Sequence, residues 1–143
     1  MKKYILEVNL LLIIIVASLN AYSQAGLNKS KEDLLNFIKR PAYADLYPEV
    51  TIADTSIVTF SSDFKKAEHY HLNAYKRCVM EVMSEKIEYN NYESIMSFFV
   101  RYLKACNYEP SLEIDNKYVN SSKRIIAYIE KNDEWLNIVF KKY

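Results

Sequence analysis

The 143-residue chain contains a single glycine, Gly26, and that scarcity removes whole classes of chemistry. P-loops, dinucleotide-binding fingerprints, EF-hands and the GxSxG nucleophile elbow all place glycine where the backbone turns at positive φ or closes on a phosphate. None of the four can be built here. Turns must come from Asn, Asp, Ser and Pro, which predicts connections longer than two-residue primed turns. Charge of one sign is lacking too, with 19 basic against 18 acidic residues, so nucleic acid is a poor partner. No repeat with a period of roughly 20 to 50 residues is visible, and no low-complexity linker divides the chain.

What is present begins with a leader. Lys2 and Lys3 precede an apolar run from Val8 to Leu19, and Ala21-Tyr22-Ser23 forms a small-x-small site. This is the pattern of a secretory signal peptide over residues 1–23, and the run is shorter than the roughly 20 residues a membrane span needs. Cleavage after Ser23 would leave Gln24 first and residues 24–143 as one domain, large enough to bury its own core. No cysteine lies just after the cleavage point, the first being Cys78, so a lipid anchor is not expected and the mature chain should have no membrane span. A cleavage site followed by Gln, with richness in Lys, Asn, Ile and Tyr, resembles small secreted proteins of Bacteroidetes type. That resemblance covers leader and composition only and implies export to the periplasm or beyond.

Ser30 with Asp33, followed by Leu34, Leu35, Phe37 and Ile38, reads as a capping-box variant opening a short helix that Pro41 stops. Residues 41–54 read as a surface connection. Strands are expected at about 56–61, 66–73, 78–83, 124–130 and 135–140. Between them a helix starts at Asn91 or Tyr92, with Ile95, Phe98, Phe99, Tyr102, Leu103 and Cys106 on one stripe. The expected fold is therefore α+β: an antiparallel sheet of about five strands, one long helix packed across one face, and a short N-terminal helix. A four-residue loop in the last hairpin would pair Ile129 with Leu136, Ala127 with Ile138 and Ile125 with Phe140, placing all six on one face.

The stretch HYHLNAYKRCVMEV, residues 69–82, raises the question of a soft-metal site. An even-length loop sets Asn73 opposite Cys78, His71 opposite Met80 and His69 opposite Val82, all on the helix-facing side. Strand and helix lengths then return Cys106 to the level of Cys78, and an exported protein favours a disulfide between them. That bridge would remove the thiolate from any site built on His69 and His71. The pair therefore reads as strand positions with hydrogen-bonded imidazoles, and a metal-handling protein or small hydrolase using His69 and His71 is the alternative. No cofactor is implied. Glu68 and Glu81 read as ordinary solvated carboxylates, and no catalytic triad emerges, so an enzyme is the less favoured reading.

The favoured reading is an exported non-catalytic domain that binds an unknown protein or envelope component, or a second copy of itself as a homodimer. A purely structural envelope component is a further alternative. The binding surface is expected on the sheet face away from the long helix, centred on Trp135 with Tyr128 and Tyr70, because aromatic rings on an incompletely covered face suit interfaces.

Overall fold

The Ser30 hydroxyl accepts a hydrogen bond from the Asp33 amide at 3.1 Å and donates to the Asp33 carboxylate at 2.8 Å. The sequence signal thus opens helix α1, Lys31–Ile38, in the computed structural model, which describes residues 26–88 and 91–143. The leader and its cleavage point lie outside the described residues. Pro41 stops α1 but also sits in the first turn of a second short helix, α2, Pro41–Ala44, where its missing N–H costs nothing.

Eight strands follow in one antiparallel sheet: β1 Glu49–Ile52, β2 Ser56–Phe60, β3 Lys66–Leu72, β4 Cys78–Lys86, β5 Glu109–Pro110, β6 Lys117–Asn120, β7 Ile125–Asn132 and β8 Trp135–Lys142. Their spatial order is β1-β2-β3-β4-β8-β7-β6-β5. This corrects the expected α+β layout of about five strands organised by one long helix: the fold is strand-dominated and the sheet is its frame. The five expected strands are the contiguous centre, and the three unanticipated ones, β1, β5 and β6, form the margins. Their two to four residues are too short for alternation to register, and all four residues of β1 are exposed, so no buried face marks it.

Two four-stranded meanders meet at the β4–β8 pair. Helix α3, Tyr92–Ala105, leaves the end of β4 and must deliver the chain to β5 at the far edge. Four strand spacings are about 19 Å and a 14-residue helix is about 21 Å long, so its length is used in crossing the sheet. Asn107, at φ 62°, ends it without glycine: Tyr108 N–H donates to the Leu103 carbonyl and Asn107 N–H to that of Lys104. Ile95, Phe99, Tyr102 and Leu103 join Leu34 and Ile38 of α1 and Tyr43 of α2 in one core with Ile125, Ala127, Ile129, Leu136, Ile138 and Phe140. The described helices α1, α2 and α3 therefore serve one face of the sheet. No described helix is long and apolar enough to cross a membrane.

The last hairpin keeps its expected face but not its register. Asn132 pairs with Trp135, and Ile129 with Ile138, so the loop is the two residues Asp133 and Glu134. A two-residue shift preserves the side of every side chain, which is why the core assignment survives. The expectation of longer loops fails only at this hairpin, the other hairpins being joined by three to six residues, and left-handed positions are filled without glycine: Asn28, Phe64, Lys76, Asn107, Asn116, Arg124 and Asp133 all have positive φ. Asn and Asp tolerate this; Phe64, Lys76 and Arg124 are held there at a cost. Replacing exposed Arg124, at φ 54°, by Gly should raise stability by roughly 0.5 to 1 kcal/mol, read as a higher urea midpoint, whereas Arg124→Ala should give no gain.

Candidate functional site

The face of the sheet away from the helices carries its side chains in rows across the strands. One row runs Phe60, Ala67, Ser84, Asn137, Glu130, and the next runs Val58, His69, Val82, Val139, Tyr128. On the other side of the first row Lys86, Trp135 and Asn132 stand together. A hollow of about 550 Å³ opens here, lined by His69, His71, Ser84, Tyr128, Asn137 and Lys141 among others. A second lobe of about 270 Å³, lined by Phe60, Ala67 and Trp135, shares His69, Ser84, Asn132 and Asn137 with it. Asn137 and Val139 lie on this uncovered face yet are only 7% and 5% exposed, because neighbouring side chains shelter them.

Of the residues expected to form the surface, Trp135 and Tyr128 are here and half-buried, and Tyr70 is not. In its place stand His69 and His71, which were expected on the helix side. One irregularity causes the exchange. The β3–β4 register holds at His69–Val82 and His71–Met80, then shifts so that Leu72 pairs with Cys78 and Val79 is left over as a β-bulge. Cys78 faces the helices as expected, but the extra residue turns His69 and His71 to the other side. Alternation alone puts Asn137 on the face of Trp135, where it stands opposite Glu130 and not Tyr128 as the expected register had it, whereas Ser84 and Ala67 carried no signal that marked them as part of a site.

The two imidazoles stack with centroids 6.3 Å apart, and Phe60 stands edge-on to His69 at 6.4 Å. Burial lowers the pKa of both, helped at His69 by His71 and at His71 by Lys141, so both rings are neutral at pH 7. Among the described residues no three His, Cys, Asp or Glu side chains cluster to hold a metal ion.

Tyr70 lies instead at the centre of a polar cluster on the covered face. Its hydroxyl donates to the Glu68 carboxylate at 2.5 Å, Tyr43 donates to the same oxygen at 2.8 Å, and Tyr43 also meets Thr59 at 2.8 Å and Tyr70 at 3.1 Å. Glu68 and Glu81 are therefore not solvated carboxylates: they are 2% and 0% exposed. Sequence alternation assigned them correctly to one face with each other but to the wrong environment. The Gly26 N–H donates to Glu81 at 3.2 Å, and a Cβ at Gly26 would fall 2.5 Å from the Tyr70 ring. The chain's one glycine is required by this close approach.

The expected disulfide is absent: Cys78 and Cys106 are both buried and not bonded to each other. Length along the strands fixed their level and said nothing of their lateral offset. Asn120 of β6 donates to the Cys106 carbonyl at 3.0 Å, which places the end of α3 toward β6, three strands from β4, an offset of about 14 Å. Bridged cysteines need Cα atoms about 4.4 to 6.8 Å apart. The Cys78 thiol instead donates to the Met80 carbonyl at 3.4 Å, and burial pushes its pKa up to about 12, so it is no nucleophile.

No family model matches the chain, and neither the curated proteins nor the solved structures contain a match to it.

Burial raises the Glu68 pKa, and the hydroxyls of Tyr70, Tyr43 and Tyr47 pull it only part of the way back. An acid whose folded pKa is raised holds its proton more tightly when folded, so its contribution is full below the unfolded value near 4.5 and is lost as pH rises through the folded value. Glu68→Gln should flatten this decline and be more stable than the parent at pH 8 relative to pH 4.5. Chemical denaturation at the two pH values measures it; an unchanged slope would show that Glu68 is ionised in the folded protein.

Proposed function

We propose that the protein is an exported, non-catalytic binding domain whose site is the open face of the sheet. The observation that carries the reading is the one-sidedness of the fold. The described helices serve one face, while the other presents Trp135, Tyr128, His69 and Asn137 around a hollow that no described segment fills. A sheet face with a purely structural role would be either covered by apolar packing or lined with solvated charge. This one is neither. Aromatic rings that are half-buried before any partner arrives offer large contact area for few frozen torsions. The leader supports export, and the balanced charge argues against a nucleic-acid partner.

Ser84 shares the hollow with His69 and His71, but no hydrogen bond among the described residues joins its hydroxyl to either imidazole; the imidazoles meet Phe60 and each other, and both buried carboxylates lie on the opposite face. Binding, not turnover, fits that arrangement.

Trp135→Ser tests the reading. It should weaken binding to envelope material or homodimerisation by roughly 2 kcal/mol or more and cost little stability. A core tryptophan would behave the other way, losing roughly 3 to 5 kcal/mol of fold stability on truncation. Thermal melting beside sedimentation and envelope-binding assays separates the two; a collapsed melting temperature with unchanged association would overturn the proposal.

A further inference from the structure

Resting on the open face as the binding site, we infer that its occupant is a neutral oligosaccharide, held in a trough that crosses the strands. The floor of the trough is Ala67, Ser84 and Asn137, neighbours across β3, β4 and β8. Small side chains there lie between bulkier flanks, Trp135 on one side and His69 and Tyr128 on the other. Phe60 continues the row at one end, and Glu130 at the other.

Asn137 supplies the second and independent observation. It is more than nine-tenths buried, lines both lobes of the hollow, and its amide takes part in no hydrogen bond with a described residue. Solvent reaches this amide through the hollow, so a ligand hydroxyl can take the place of water there. An amide offers two donors and an acceptor, and the Ser84 hydroxyl beside it can do either, which is the complement of a sugar hydroxyl. The C–H face of a sugar ring, in turn, suits the aromatic walls.

Charge and spacing narrow the class. The floor is uncharged from Ala67 to Asn137, and the ionised groups lie toward its margins: Glu130 beside Asn137, Lys86 one row from Ser84 and ion-paired with Glu134 at 3.3 Å, and Lys141 two rows from Asn137. Phosphate or an acidic chain would meet Glu130 without a compensating cation on the floor. Trp135 is opposite Asn132, four residues along β7 from Tyr128, a separation of about 13 Å. One sugar ring cannot touch both, so the ligand has several. The volume falls within the range of about 300 to 1,000 Å³ usual for small-molecule sites.

Trp135 is the only tryptophan in the chain, so its fluorescence reports directly on the trough. Purified exported protein is screened on an array of neutral, sulfated and sialylated oligosaccharides, and maltotetraose, cellotetraose and chitotetraose are titrated against its emission. The expected result is saturable binding of at least one neutral oligosaccharide. It should be weakened about tenfold or more by Ser84→Phe, which fills the floor, and by Asn137→Leu, which keeps volume and removes the amide. Should Ser84→Phe not fold, Asn137→Leu alone decides. Binding confined to sulfated or sialylated glycans, or unaffected by Asn137→Leu, overturns the inference. If no glycan binds but Trp135→Ser still weakens homodimerisation or envelope binding, the saccharide inference falls and the binding face stands. If no glycan binds and Trp135→Ser changes neither, both fall.

Discussion

The pairing of β4 with β8 is the constraint on which the rest of the structure depends. It joins two four-stranded meanders that are otherwise separate in sequence, and because β4 and β8 are not consecutive, the chain between them must travel. It leaves β4, crosses the covered face as α3, enters at the far edge as β5 and returns strand by strand to β8. The contacts of α3 with the sheet follow from that route, and α1 and α2, which precede β1, pack into the same core. The connector buries the face it crosses, and no described helix covers the other. The one-sidedness that suggests a binding surface is thus a consequence of topology before it is a property of any side chain.

The same route explains which sequence inferences survive. Strands with strong alternation, and the stripe of Ile95, Phe99, Tyr102 and Leu103, were legible because burial on one side imposes a period. Strand order was not, since no local pattern says that β4 will neighbour β8. Without the order, the helix was taken to run back along the strand it follows, and Cys106 was brought to Cys78 by length alone. The crossing helix ends toward β6, and its cysteine with it. The marginal strands escaped for a different reason: with four residues or fewer, β1, β5 and β6 are defined by their neighbours' hydrogen bonds more than by their own side chains.

The candidate site turned on one residue. Period-two reasoning is unforgiving, because a single inserted position reverses the face of everything beyond it. Val79 is that position, and its bulge explains why Cys78 was assigned correctly while His69, His71 and Tyr70 were all assigned to the wrong side. Nothing in Cys78-Val79-Met80 announces a bulge: no glycine marks it, and Val79 is as good a strand residue as its neighbours. Trp135 and Tyr128 were placed correctly because the error in their hairpin was two residues, which the alternation absorbs.

Polar groups stand in different surroundings on the two faces. Under the helices, Glu68, Thr59, Tyr43 and Tyr70 are almost wholly removed from water, and each finds a partner in the others. A buried network of that kind is tolerable only when complete, and it fixes α2 and the Gly26 segment against β3 and β4. On the open face Asn137 is nearly as sheltered and takes no such partner. Its amide opens instead into the hollow between Trp135 and Tyr128, on the face that the described helices leave uncovered, so the proposed binding surface and the buried network lie on opposite sides of one sheet.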